Sequence, residues 1–360
     1  MTDPPPTPKC PAVQQVETPE ISFASPPQRI LIIKPSAIGD VVHALPVLNL
    51  LRKRFPTAHI SWLVTPTCSG LLEGHPQLDE VILFQRGRFG TSWWNPKVLA
   101  EMWRLNRRLR RGQFDLVLDL QGLLRSGYLS WKTGAPVRVG FTDARELSWI
   151  FHTHRVPADL RTQHAVYRYL QMSRAIGCGD EPVEFHFPTD DADRKAVAAM
   201  LPENKPYAVL LPGSNWPTKR WPTAYFAELA DGLRRRLGLE PVIAGSAGDN
   251  RFAEQINGIN LCGKTNLRQL VALLEKARIV IANDSGPMHI AAALGRPLIA
   301  LYGPTDFNLT GPYGRDDTVM RLGLPCSPCL KRRCVHQSCL RWIHSDAALE
   351  RAEKELASSS

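Results

Sequence analysis

The chain has 360 residues, with hydrophobic residues at 44%, charged residues at 22% and a formal net charge of +10. That length suits two ordinary domains, and the composition excludes a chain that is disordered or fibrous throughout. No apolar run reaches the roughly 18 residues that a membrane-spanning helix needs, and the basic excess points to an anionic partner.

Residues 1–28 (MTDPPPTPKCPAVQQVETPEISFASPPQ) are rich in proline and polar side chains. They lack the apolar surface to fold and the apolar core of a signal peptide, so a disordered tail and a cytoplasmic protein are expected. In that compartment the 8 cysteines serve as thiols or metal ligands rather than as structural disulfides.

From Arg29 the pattern alternates. RILIIK reads as a strand, DVVHALPVLNLLRKRF as a helix, HISWLVT and EVILF as strands, VLAEMWRLNRRLRRGQF as a helix and DLVLDL as a strand. Such alternation predicts a parallel sheet with crossover helices, here over residues 29–181. In the second of these helices, Val98, Met102, Leu105 and Leu109 form one apolar stripe, which reads as core, with arginines on the other faces. Residues 182–206 are acidic and proline-punctuated and read as a linker holding one helix, which contains the single DxD, Asp191-Ala-Asp193.

The alternation restarts over 207–325, from YAVLLP through TAYFAELADGLRRRLG, EPVIAGS, NLRQLVALLEKA, RIVIAND and GPMHIAAALG to PLIALYG. Residues 326–360 form a cysteine-rich segment and a charged helix. The fold class expected is α/β, with two Rossmann-like doubly wound units and a ligand cleft between them.

Three loops of the second unit have the chemistry of an anion site. In NDSGPMH a strand ends at Asn283-Asp284, Ser285 and Gly286 form the turn, and Pro287 opens a helix whose free N–H groups favour a phosphate. Asp284 either caps that helix or holds a ligand hydroxyl. In LLPGSNWPTKRWP, Ser214 and Asn215 offer donors and Lys219 and Arg220 offer charge. In AGSAGDN, Asp249 suits a ribose hydroxyl. All follow strand C-terminal ends and so share one rim of a parallel sheet.

In the first unit, KPSAIGDVVHALP places Asp40 where a helix begins, with neither of the common phosphate-loop fingerprints. Asp40 reads as an N-cap or, on the rim of a cleft, as a general base. Arg86, Arg88, Arg125, Arg145 and His164 are scattered positive groups that would suit an acidic acceptor. Near the end, Cys326, Cys329, Cys334 and Cys339 stand at C-x2-C-x4-C-x4-C, a spacing compatible with a structural zinc or iron–sulfur site, though not a standard zinc-finger one.

The stretches KPSAIGDVVHALP, LPGSNWPTKRWP and NDSGPMHIAAALGRPLIALYGPTD resemble glycosyltransferase family 9, the lipopolysaccharide heptosyltransferases. The resemblance implies the GT-B fold, an ADP-heptose donor, a Kdo-lipid A or heptosylated inner-core acceptor, and inverting transfer that needs no metal. It implies that Asp40 is the base and that Lys219 holds the donor phosphate. It implies donor contacts from Ser214, Asn215, Asp249, Thr265, Asp284, Ser285, Gly286 and His289. DLQGLLRSG, FTDARE and QHAVYRYL in the first half look like heptosyltransferase I, and the second half looks more like heptosyltransferase II. Because the first half binds the acceptor, type I is favoured. The alternatives are type II or a related family 9 enzyme with another acceptor sugar. A basic nucleic-acid-binding protein is the reading from a different class; it lacks an array of stacking aromatics, so no nucleic-acid partner is expected. A lipid-anchored acceptor implies peripheral contact with the inner face of the cytoplasmic membrane.

Overall fold

A computed structural model describes residues 20–85, 95–159, 162–179 and 182–358. The chain divides into two compact units, with the boundary between Pro188 and Thr189.

The first unit is built on a six-stranded sheet of order β3-β2-β1-β4-β5-β6. The strands are β1 Arg29–Ile33, β2 His59–Val64, β3 Glu80–Leu83, β4 Leu116–Asp119, β5 Val137–Phe141 and β6 His154–Val156. Every pairing is parallel. A parallel sheet is covered on both faces, which is why Ile30–Ile33 can be an unbroken apolar run with no exposed surface. Leu31, Ile33, Leu63, Ile82 and Val117 pack with Leu105, Leu109 and Leu129, so the helices Pro96–Arg111 and Leu124–Thr133 cover the same face. Val98, Leu105 and Leu109 of the expected stripe are buried, and Met102 lies at its edge, half-buried.

The second unit repeats the plan, with order β12-β11-β10-β7-β8-β9. Its strands are β7 Tyr207–Leu211, β8 Glu240–Ile243, β9 Ile259–Asn260, β10 Ile279–Asn283, β11 Leu298–Leu301 and β12 Val319–Met320, again all parallel. The terminal helix Ser345–Ser358 belongs to this unit, because Ala348, Leu349 and Ala352 complete the core around Phe226, Leu229 and Leu233. The helix Asp191–Ala198 also packs here, through Arg268 to Asp190 and Asp193 and through Arg194 to Glu275. These pairs give Asp193 of the DxD a structural role and leave Asp191 exposed.

Each sheet has a switch point where strand order reverses, between β1 and β4 in one and between β7 and β10 in the other, and ligands in open α/β sheets bind outside the strand ends there. Among the described residues no helix is long and apolar enough to cross a membrane.

Candidate functional site

Asp40 stands at the first of these switch points. The helix after β1 begins at Ile38, with Ala37 as its N-cap, so Asp40 lies in the first turn rather than at the cap. Its carboxylate still serves the helix end, accepting from the Ala37 N–H at 3.0 Å. The Tyr169 hydroxyl donates to its other oxygen at 3.3 Å, and Lys34 Nζ lies 3.5 Å away. Lys34 is 3% exposed and Tyr169 also 3% exposed, whereas the Asp40 side chain is 44% exposed. The two buried groups therefore hold the carboxylate from below and leave it open from above. Burial opposes charge on Lys34, yet Asp40 and Tyr169 outweigh it and raise the pKa of its ammonium above the ordinary lysine value. Lys34 and Tyr169 were not singled out in the sequence. The one signal was a lysine closing an otherwise apolar strand.

His164 is nearly buried. It caps the helix Ala165–Ala175, its Nδ1 accepting from the Val166 N–H, and packs edge-on against His43 at 5.1 Å between ring centroids. His43 is one turn beyond Asp40 on the same helix, so His164 borders the site through a structural contact. Arg125 and Arg145 are exposed and follow the ends of β4 and β5, with the Arg145 N–H donating to the Gly122 carbonyl. Arg86 and Arg88 lie outside the described residues.

The loop from Gln121 to Arg125 is braced from beneath. Asp119, fully buried, accepts from the N–H groups of Gln121 and Gly122, from Ser126 Oγ at 2.9 Å, and contacts His152 Nε2 at 3.1 Å. Serine, aspartate and histidine meet here, but Ser126 bonds to the aspartate rather than to the histidine, so no base is set to activate its hydroxyl. The network is structural.

In the second unit the loops after β7 and β10 are tied together. Asn283 accepts from the Trp221 N–H and donates to the Pro212 carbonyl. Ser214 Oγ donates to the Asp284 carbonyl at 2.9 Å. Asp284 does not cap the helix Gly286–Ala293, whose N-cap is Ser285. Its carboxylate instead takes Lys219 Nζ at 2.7 Å and Thr305 Oγ1 at 2.6 Å. Lys219 also lies over the Trp216 ring, 4.7 Å from its centroid. Ser285 Oγ is buried and has no hydrogen-bond partner among the described residues. A buried hydroxyl beside free helix N–H groups is a ready contact for an anionic ligand.

Asp249 joins this rim because Gly213 and Gly245 make room for it. A Cβ on Gly213 would stand 2.5 Å from the Asp249 carboxylate, which Ser246 holds through its N–H and hydroxyl. Thr265 follows β9, two residues after Gly263, whose N–H donates to the Gly245 carbonyl. His289 is buried in the Gly286–Ala293 helix, and Asn215 is exposed.

Burial places the Cys339 thiol above its ordinary pKa, and the neighbouring thiols of Cys329, Cys334 and Cys326 add to that. The four are neighbours, yet among the described residues no three His, Cys, Asp or Glu side chains are grouped as metal ligands. The segment packs on this rim of the second unit. Cys329 and Leu330 donate N–H bonds to the Pro304 carbonyl, and Thr218 Oγ1 donates to the Lys331 carbonyl. Cys68, Cys178 and Cys262 are buried thiols, and burial, then Asp249, pushes Cys262 up to about 12.

Two doubly wound, six-stranded parallel units are the architecture of the GT-B fold. Residues 102–340 match the model of glycosyltransferase family 9 (heptosyltransferase). The chain belongs to this family. It is 33% identical to lipopolysaccharide heptosyltransferase 1 of Pseudomonas aeruginosa, over 86% of this chain and 88% of that protein. It is 30% identical to lipooligosaccharide heptosyltransferase 2 of Haemophilus ducreyi, over 82% and 88%. Among solved structures it resembles E. coli ADP-heptose heptosyltransferase II, with a TM-score of 0.74 and 27% identity over 92% of this chain and 99% of that one. The E. coli heptosyltransferase WaaC with ADP gives 0.73 and 26%, over 91% and 99%.

Proposed function

We propose that the protein transfers heptose from ADP-heptose to the Kdo/heptose inner core of lipopolysaccharide, with Kdo-lipid A, the type I acceptor, favoured over a heptosylated one. The observation that carries this is the half-exposed Asp40 carboxylate, held from below by Lys34 and Tyr169 at a sheet switch point. The relatives named above supply the donor and acceptor classes. Their type I and type II members both align, and the preference for type I rests on the first-half motifs around Arg125, Arg145 and His164.

In this reading Asp40 removes the proton of the acceptor hydroxyl as its oxygen attacks the anomeric carbon. The carbon–oxygen bond to the diphosphate breaks on the opposite face, its electron pair leaves with ADP, and configuration inverts. Lys219 and the helix end at Ser285 and Gly286 offset the charge that develops on the diphosphate. Ser214, Asn215, Asp249, Thr265, Asp284 and His289 orient the donor. No metal is assigned to catalysis. The cysteine segment is read as structural, since its thiols lie beside the donor rim rather than in it. Zinc or iron would require the four Sγ atoms to close in, and metal analysis of the purified protein tests that. The protein would work in the cytoplasm, at the inner face of the membrane that carries its acceptor.

The test is ADP release from ADP-heptose with and without Kdo-lipid A. Acceptor-dependent release supports type I. Release only with a heptosylated acceptor assigns type II, and silence with both overturns the substrate reading.

A further inference from the structure

Ten large apolar side chains stand exposed among the described residues, and six of them share one face of the first unit: Leu99, Trp103, Leu124, Trp131, Leu147 and Ile150. They come from three elements packed side by side: the helices Pro96–Arg111 and Leu124–Thr133, and the 3-10 helix Arg145–Phe151. The elements interlock beneath these residues. Asn106 donates to the Tyr128 hydroxyl, and the Trp131 and Phe151 rings lie 6.2 Å apart. Trp103 and Leu147 are each 61% exposed, and Leu147 is held out by a backbone φ of 60°, which a leucine rarely adopts. Scattered apolar residues on a surface are ordinary, but six on one face call for a partner.

Cations are interleaved with them. Arg107 lies over the Trp103 ring, at 5.1 Å, and Lys132 over the Trp131 ring, at 4.5 Å. Beside this face, at the N-terminal edge of the sheet, a cavity of about 450 Å³ opens between Arg29, Arg104, Arg107, Arg108 and Arg111 over an apolar floor of Ile82 and Phe114. Its one carboxylate, Glu80, is already engaged by Arg108 and Ser61. The cavity is at the opposite rim from Asp40, so it is separate from the candidate active site. Aromatic and aliphatic side chains among arginines match the interfacial zone of a bilayer: the rings reach the acyl boundary and the guanidinium groups meet headgroup phosphates.

We propose that this face, centred on Trp103, Trp131 and the Arg104–Arg111 cavity, docks the enzyme on an anionic lipid surface, with a headgroup phosphate seated in the cavity. The proposal rests on the reading that the acceptor is a membrane glycolipid and names the surface that would bring the enzyme to it.

The experiment is sedimentation of the full chain with vesicles that contain no acceptor, either phosphatidylcholine alone or phosphatidylcholine with phosphatidylglycerol. Wild type should bind the anionic vesicles, bind less as salt rises, and leave the neutral ones in solution. Combined substitution R104E/R107E/R111E should weaken binding at least about a hundredfold. Trp103→Ala, which removes the more exposed of the two rings, should also weaken binding with melting temperature near that of wild type, whereas Trp131→Ala should weaken binding and also lower stability through its lost contact with Phe151. Free inorganic phosphate that binds the arginine cavity while anionic vesicles do not would overturn membrane docking. So would equal binding to neutral vesicles, full binding by the arginine variant, or binding of a nucleic-acid duplex in place of vesicles. Transfer to a soluble, delipidated acceptor tests the proposed activity separately: its failure with vesicle binding intact would remove the substrate reading and leave the docking surface standing.

Discussion

Lys219 Nζ lies 2.7 Å from Asp284 Oδ2, and Asp284 is 5% exposed. The pair joins the loop after β7 to the loop after β10 at the switch point of the second sheet. It fixes the ammonium at the edge of the rim. In the proposed reaction, a cation already in place would need no reorganisation as charge develops on the leaving group.

The pair is also structural, and its two halves should separate by experiment. Asp284→Ala leaves Lys219 without its carboxylate and Thr305 without its acceptor. Breaking a buried pair from one side costs about 3 kcal/mol, and chemical denaturation should show a loss of that order. Lys219→Ala leaves the more buried Asp284 carboxylate its bond from Thr305 but not its cation, so the stability loss should be at least as large. Its transfer rate should fall on the order of a hundredfold, and weaker ADP binding by calorimetry should accompany it.

Asp40→Asn tests the base with little change of shape. An asparagine oxygen can still accept from the Ala37 N–H, so the helix end should survive, but the buried Lys34 ammonium loses its counter-charge and melting temperature should fall. The amide cannot take a proton, so ADP release in the presence of acceptor should fall about 100- to 10,000-fold. A variant that retains activity would move the base elsewhere.

Much of this architecture was legible in the sequence. Fully buried parallel strands announce themselves as apolar runs, and IVIAND followed by SGP fixes both the end of β10 and the helix after it. The strands β5, β6, β9 and β12 were not read: β6, β9 and β12 have only two or three residues, and in β5 Arg138 and Gly140 break the apolar run. Asp284 was found in the sequence but its role was left between a cap and a ligand contact. The choice depends on Lys219 and Thr305, both distant in sequence. Lys34 and Tyr169 escaped for the same reason, since a lysine at a strand end and a tyrosine on a helix carry no local sign that they converge on one carboxylate.

Gly213 makes a sharper test of how the rim is built. Its missing side chain leaves the space that Asp249 fills, and Ser246 restrains that carboxylate from moving aside. Gly213→Ala should push Asp249 out of place. The expected result is a raised KM for donor, with kcat changed less because Asp40 is untouched. A Gly213→Ala/Asp249→Ala double variant should show less than the sum of the two single losses, since both remove the same contact. Additive losses would mean that Asp249 does not act through this contact.

The first unit contains an acid-sensitive point away from the chemistry. His75 is 2% exposed; its Nδ1 accepts from the Gln77 N–H, so its proton sits on Nε2 and is donated to the His186 carbonyl. A second proton would have to enter at Nδ1, where the Gln77 N–H already points. Burial lowers the His75 pKa to about 4, against an ordinary value of 6.5. Between these values the unfolded chain binds the proton and the folded chain does not, so stability must fall as pH drops from 6.5 toward 4. The stabilisation is complete above pH 6.5 and gone below 4, and the shift corresponds to about 3 kcal/mol. Asp79 and Glu80, whose pKa values are held low despite partial burial by the Ile60 N–H and Arg52 in one case and Arg108 and Ser61 in the other, lose their contributions at lower pH still. His75→Gln cannot charge, so its denaturation midpoints should be flatter than those of wild type between pH 6.5 and 4, and parallel to them above. Identical slopes in the two proteins would show that His75 charges as readily in the folded chain as in the unfolded one.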